Sequence, residues 1–373
     1  MKILVYTYFP LFDKHLAGGL QFFVREIVES LNKKGLDIEV VCPDSKLHDF
    51  PKIIKVHNII DDLEVNGMTP NNYYNNLQKL KRLEQNADII WTFDRSFPIK
   101  SNKKKVLSMQ THCYEKEMKA VFEDDYTKIV FLSSHQKQQY SECELNNVVI
   151  IPSMIDSRFF SSEKNLNKLS KYFNYDNTKK YILFPHRPER EKGHLKALEI
   201  IEKLSKKDNS YILMFPCEPD SRLLDKDAER NFVNEVKANV KHKNLSKHVI
   251  FHRWVDAEDM PEYLSIGEAT LFLSELPETF GVSLVNSIVA GTPVISFGSG
   301  ALKETVPPGN AHFTINKENY IDAAEIIQKG FIKLLIEEDK IFITKSYNLK
   351  LVTEKYFDLF QEIQRSINEK SAK

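Results

Sequence analysis

Three stretches of this chain carry residues whose types and spacing suit a charged, oxygen-rich ligand. The first is Phe184-Pro185-His186-Arg187-Pro188-Glu189-Arg190-Glu191-Lys192-Gly193. An apolar run ends there, Arg187 stands in a short loop, and Lys192-Gly193 opens the next helical pattern. Arg187 offers a planar fork for phosphate oxygens, and Lys192 a compact point charge. Two cations five residues apart at the carboxyl end of a strand suit a diphosphate. The alternative is a solvated cluster, with Glu189, Arg190 and Glu191 pairing on the surface.

The second stretch runs from Ser274 through Pro277-Glu278-Thr279-Phe280-Gly281 into a helical pattern. Leu284, Val285, Ile288 and Val289 form its apolar face, Gly291 ends it, and Pro293 leads into the next strand. Glu278 stands at the helix mouth, where free N–H groups also point. Asn286 follows eight residues later, inside the helix. The alternative is a capping glutamate and a solvent-facing asparagine. The third stretch, Ala17-Gly18-Gly19-Leu20, lies between a strand and a helix with Phe22, Phe23, Ile27, Val28 and Leu31 at helical spacing. A helix N-terminus there suits an anion, although Gly18-Gly19 also suits a plain turn.

No His, Cys, Asp and Glu set has metal-ligand spacing. Asp225-Lys226-Asp227 falls in a helical pattern, not after a strand. The four cysteines, Cys42, Cys113, Cys143 and Cys217, form no C-x-x-C pair and read as reduced thiols of a cytoplasmic protein. Lys plus Arg and Asp plus Glu are 52 each. That balance argues against a chain built to grip nucleic acid. With 12 Gly and 15 Pro against 24 Phe and 15 Tyr, collagen-like and disordered classes are excluded. No apolar run approaches the roughly 18 residues needed to span a bilayer. The opening Met1–Tyr8 run reads as a buried strand, not a signal peptide.

The elements that must position these clusters are parallel sheets. Nearly continuous apolar runs at Ile3–Thr7, Ile38–Cys42, Ile53–His57, Asp88–Phe93, Val106–Met109, Ile129–Leu132 and Val148–Ile151 alternate with helical patterns. A second series is predicted at Tyr181–Phe184, Ile212–Phe215, Val249–His252, Thr270–Leu273 and Val294–Phe297. Such strands belong to a sheet covered by helices on both faces. The polar stretch Asp156–Lys180 marks the boundary. Helices are expected over Lys317–Leu335 and Leu349–Ile367. The fold class is α/β, with two doubly wound domains facing a cleft.

Taken in order, these stretches resemble the retaining glycosyltransferases of family 4, which have the GT-B fold. Arg187 to Lys192-Gly193, then Pro277-Glu278-Thr279-Phe280-Gly281 through Ala290-Gly291-Thr292-Pro293-Val294-Ile295, carry the resemblance. It extends to the early glycine loop, to Val149–Asp156 as the interdomain passage, and to Val249–Val255 as the strand leading to the base-binding loop. It implies two Rossmann-like domains, an acceptor-side domain over 1–160 and a donor-side domain over 161–345. The segment 346–373 would be a closing helix that crosses back onto the first domain.

Carried over, the resemblance implies that Arg187 and Lys192 hold the donor diphosphate and that Glu278 binds hydroxyls of the donor sugar. Thr279, Phe280 and Gly281 would touch sugar or phosphate through backbone amides. Gly18 and Gly19 would close over the diphosphate, His252 and Arg253 would lie on the donor's base side, and His112 would be the active-site histidine. The family's second glutamate, which grips the ribose, is replaced by Asn286. The usual Gly-x-Gly after the second strand of the second domain is replaced by Phe215-Pro216-Cys217-Glu218-Pro219.

The implied activity is transfer of a hexose from a nucleoside-diphosphate sugar, with a UDP-sugar expected. No metal or other cofactor is required, because Arg187 and Lys192 neutralise the leaving group. The acceptor is a glycan, lipid or small molecule met by loops near 46–65, 94–105 and 114–125. A basic run at Lys100, Lys103, Lys104 and Lys105 is compatible with peripheral membrane contact or with a merely solvated loop. Two rival readings remain, a GT-B-type sugar-nucleotide epimerase and a non-catalytic GT-B partner subunit, the latter favoured by Asn286.

Overall fold

The computed structural model describes residues 1–9, 11, 19–42, 54–58, 70–111, 121–143, 145–160, 164–216, 226–306, 311–330 and 333–371. Its contacts divide the chain into two units, Met1–Met154 with Leu349–Lys373, and Ile155–Asn348.

The first unit is built on a seven-stranded parallel sheet, β1 (Lys2–Tyr6), β2 (Asp37–Cys42), β3 (Lys55–Asn58), β4 (Ile89–Phe93), β5 (Lys104–Met109), β6 (Lys128–Phe131) and β7 (Val148–Ile150). Their spatial order is β3-β2-β1-β4-β5-β6-β7. All five residues of β4 are buried, as expected of a strand covered on both faces. Helix α1 (Gly19–Lys33) buries Phe23, Val24, Ile27, Val28 and Leu31 on one face of this sheet.

The second unit holds a six-stranded parallel sheet, β8 (Lys180–Leu183), β9 (Tyr211–Pro216), β10 (Val249–His252), β11 (Gly267–Phe272), β12 (Val294–Ser296) and β13 (His312–Thr314), in the order β10-β9-β8-β11-β12-β13. Helix α2 (His194–Ser205) follows β8, α3 (Val282–Ala290) follows β11, and α4 (Lys333–Tyr347) closes the unit.

The chain then returns to the first unit through α5 (Leu349–Ser371). Val352, Tyr356, Leu359, Phe360 and Ile363 recur at helical spacing and pack with Trp91, Phe93 and Phe23. The polar tips in this core are satisfied. Trp91 Nε1 donates to Ser108 Oγ at 2.8 Å, and Ser108 Oγ lies 3.2 Å from the Tyr356 hydroxyl.

Three details differ from the sequence-based expectation. Strand β13 was not anticipated, because His312–Thr314 is a three-residue element with one apolar residue. The helix expected over Lys317–Leu335 is instead a turn at Tyr320–Asp322 and a helix at Ala323–Lys329 that stops at Gly330. Helix α4 then fills the expected gap before Leu349, burying Ile336 and Ile343. The division between units falls at Met154/Ile155 and Asn348/Leu349, rather than at 160/161 and 345/346. The physical reason is that the turn Ser157–Phe160 packs on α3 and α4 runs unbroken to Tyr347.

Candidate active site

In the second sheet the strand order reverses between β8 and β11. Ligands of doubly wound sheets bind outside the carboxyl ends of the strands at such a reversal. The loops leaving these two strands are the ones that carry Arg187–Lys192 and Glu275–Gly281.

After β8 the chain first buries His186. Its Nε2 donates to the Leu271 carbonyl at 2.9 Å, and its ring meets Phe184 and Phe272 edge-on at 4.7 and 4.6 Å. Burial pushes its pKa down to about 3, so the imidazole is neutral. With His186 inside, Arg187 stands outside with 43% of its side chain exposed, and Nη2 lies 3.1 Å from Glu189 Oε1. The expected surface pairing is therefore present in part, and it holds Arg187 weakly. Lys192 closes a 3₁₀ turn over Arg190–Lys192, two residues before α2 begins. Gly193 makes the passage into α2 at φ +88°. A Cβ there would lie 2.6 Å from the Leu273 carbonyl oxygen, so only glycine fits against the end of β11.

The two loops are fastened together. The Glu275 N–H donates to the Glu191 carbonyl at 3.0 Å, and Lys196 pairs with Glu275. Lys192 Nζ lies 3.0 Å from Glu278 Oε1, with 16% and 25% of the two side chains exposed. Behind Glu278 runs the loop after β12. The Ala301 N–H donates to the Glu278 carbonyl at 2.8 Å. Gly300, at φ +67°, passes so close that a Cβ would sit 2.3 Å from the Glu278 nitrogen and 2.4 Å from its oxygen. Sequence reasoning missed this support, although Gly298-Ser299-Gly300 after a strand was a readable signal. Phe280 is buried edge-on to Tyr347 at 5.0 Å, and its carbonyl accepts from Thr305 Oγ1 at 2.7 Å. Gly281 precedes α3, so the Thr279-Phe280-Gly281 backbone ends at a helix N-terminus beside the Lys192–Glu278 pair.

Residues 167–347 match the family described as Glycosyl transferases group 1. This stretch is a glycosyltransferase domain. The whole chain has the GT-B fold. It is similar to a glycosyltransferase from Rickettsia africae ESF-5, at 20% identity and a TM-score of 0.75, covering 97% of this chain and 98% of that one. Sucrose-phosphate synthase from Thermosynechococcus elongatus superposes at 16% identity and a TM-score of 0.77, over 98% and 100% of the two chains. Anabaena HepE, solved with UDP and glucose, superposes at 13% identity and a TM-score of 0.74, over 97% and 100%. No curated protein matches the chain by sequence.

Within the glycosyltransferase domain, Asn286 shares the less covered side of α3 with Val282 and Ser283. Its Oδ1 is buried and has no hydrogen-bond partner. His252 ends β10, which β9 and β8 separate from β11. Its side chain is in the core, with Nδ1 2.8 Å from the Arg253 carbonyl and Nε2 3.1 Å from the Tyr263 hydroxyl. Both ring nitrogens are thus engaged within the protein, which leaves Arg253 as the exposed side chain at this strand end. Arg253 is exposed, stacks over the Tyr172 ring at 4.7 Å and lies 3.7 Å from Asp256.

In the first unit the strand order reverses between β1 and β4. Gly19 is there as the exposed first residue of α1. Gly18 and His112 lie outside the described residues. Asp94, just after β4, was not anticipated, since a lone aspartate has no spacing signal. Its backbone is left-handed at φ +56°. Oδ1 accepts from the N–H groups of Gln110 and Thr111 at 2.6 and 3.1 Å. Burial pushes its carboxyl up to about 6. Beside it Arg95 stacks over the Tyr8 ring at 4.2 Å.

Proposed function

We propose that this protein is a retaining, metal-independent glycosyltransferase of the cytoplasm that moves a hexose from a UDP-sugar to an acceptor hydroxyl. The observation that carries the reading is the Lys192–Glu278 pair at the sheet's reversal. It sets a phosphate-binding cation beside a carboxylate suited to sugar hydroxyls, at the mouth of a helix. The UDP held by Anabaena HepE supports the choice of nucleotide.

In this reading the bond between the sugar's anomeric carbon and the donor phosphate oxygen breaks, and the electron pair leaves with the diphosphate. Arg187 and Lys192 offset the growing negative charge. Glu278 accepts hydrogen bonds from sugar hydroxyls and holds the ring in place. The acceptor oxygen bonds to the anomeric carbon on the face the leaving group departs from. Its proton passes to a phosphate oxygen of the leaving diphosphate, so no side chain acts as nucleophile.

The test is incubation with a panel of sugar nucleotides, scored for nucleoside diphosphate release and for the anomeric configuration of the product. Release that survives EDTA, with configuration retained, is expected. Inverted product, or activity lost to EDTA and restored by magnesium or manganese, would count against the mechanism. The buried, unmatched Asn286 Oδ1 favours one rival, a non-catalytic partner subunit. That rival predicts no diphosphate release with any sugar nucleotide.

A further inference from the structure

The basic run at residues 100–105 does not form one face. Lys105 is buried against Asp124, and Lys103 donates to the Gln85 carbonyl at 2.9 Å. A different cationic surface lies in the second unit, where the turn Ser157–Phe160, the end of α3 and one side of α4 enclose a groove of about 500 Å³. Phe159, Val289, Ala290 and Ile341 give it apolar walls. Five large hydrophobic side chains are markedly exposed among the described residues, and three of them, Phe160, Ile341 and Phe342, fall on this turn and this helix. Phe160 and Ile341 line the groove itself, and exposed apolar side chains that share one groove mark an interaction surface more often than scattered ones do.

Lysines surround the apolar walls. Lys340 is tied down, 2.6 Å from Glu337 and beside the end of α3 at Gly291. Lys345 is exposed and has no carboxylate partner among the described residues. Lys164 lines the groove, and its Nζ is buried with no hydrogen-bond partner. The nearby Glu262 is already taken by Lys168 at 3.1 Å. Burial holds the Lys164 ammonium below the ordinary lysine value. An ammonium withdrawn from water without a hydrogen bond is costly, and an anion placed against it relieves that cost.

We propose that this groove docks an anionic phospholipid presented by a membrane. The phosphate would pair with Lys164, Lys345 would meet neighbouring headgroups, and Phe160 and Ile341 would sit against the upper acyl chain. The chemistry calls for both halves at once, since a purely polar anion leaves the aromatic and aliphatic walls wet and a neutral apolar ligand leaves Lys164 unpaired. No helix among the described residues is long and apolar enough to cross a membrane, so attachment by this groove would be peripheral and sensitive to salt.

The test is co-sedimentation of the full chain with vesicles of phosphatidylcholine alone and of phosphatidylcholine with about one third phosphatidylglycerol. Binding to the second and not the first is expected, weakening as salt rises. Lys164→Ala and Lys345→Ala should each weaken it about fivefold. Ile341→Ser, an exposed change that the fold tolerates, should weaken it at constant charge. Circular dichroism checks that each variant is folded. No binding to either vesicle, equal binding to both, or undiminished binding by the folded variants would overturn the proposal. Self-association through Ile341 in the absence of vesicle binding would assign the face to a second copy instead.

Discussion

Lys192 Nζ and Glu278 Oε1 meet at 3.0 Å across 86 residues of sequence. They come from loops that leave adjacent strands, β8 and β11, where the order of the sheet reverses. A partly exposed pair of this kind adds at most about 1 kcal/mol to stability. Its consequence is positional, because each side chain sets the place of the other before a ligand arrives, with Gly193 and Gly300 clearing the space that both loops need.

Removing either cation tests the diphosphate assignment. A charge-assisted hydrogen bond is worth about 1.5–3 kcal/mol, so Arg187→Ala and Lys192→Ala should lower kcat/KM for the donor by roughly tenfold to more than a hundredfold. Melting temperatures should barely move. Because Lys192 contacts Glu278, the Lys192→Ala, Glu278→Ala double variant should lose less than the two single losses together. Near-normal activity in both cation variants would sink the assignment.

Gly300→Ala should impair the site from behind. The added Cβ meets the Glu278 backbone at 2.3 Å, and alanine is strained at φ +67°. A stability loss of about 1–3 kcal/mol is expected, with a fall in kcat/KM beyond what unfolding explains. Chemical denaturation and donor kinetics on the same sample separate the two effects. A variant with unchanged kinetics would show that the position of Glu278 does not depend on this contact.

Asn286 invites a two-way substitution. A ribose diol can donate to a carboxylate more strongly than to a neutral amide, and the Asn286 Oδ1 has no partner of its own. Asn286→Glu is expected to bind nucleoside diphosphate as tightly as the parent or more so, and Asn286→Ala more weakly. Calorimetric titration with UDP reads both. If neither substitution changes the affinity, Asn286 is not a ligand and the non-catalytic reading gains.

Acid should destabilise the second unit. Burial pushes His186 down to about 3, and His194 and His252 to about 4, from an ordinary value of 6.5. Between those values the unfolded chain binds protons that the folded one refuses, so stability is complete above about pH 6.5 and falls as pH drops. Each histidine should cost about 1–2 kcal/mol by about pH 5. Asp94 acts in the opposite sense below about pH 6, since its carboxyl is raised and takes up its proton in the folded state. Denaturant midpoints at neutral and mildly acid pH measure the sum, and His194→Phe, placed among Phe184, Phe215 and Phe232, should flatten the slope. An unchanged slope in that variant would show that His194 is not the group responsible.

Much of this architecture was legible in the chain because strands buried on both faces are nearly continuous apolar runs. Ile89–Phe93 and Tyr181–Leu183 announce themselves without any tertiary information. That Arg187, Lys192 and Glu278 stand in loops just after strands was legible for a related reason, since the apolar runs mark where each strand ends. His312–Thr314 was not, because a three-residue strand takes its identity from pairing with β12 rather than from its own residues. Nor did the chain show that His252 is enclosed while Arg253 is open, since one residue along a strand's end reverses the direction of a side chain. Partnership was the tertiary structure's decision. Lys192 belongs to Glu278, Arg187 to Glu189 and Lys105 to Asp124, while the Lys164 ammonium makes no hydrogen bond. Charge is written in the sequence residue by residue, but which charges meet depends on distances that only the folded sheets and helices create.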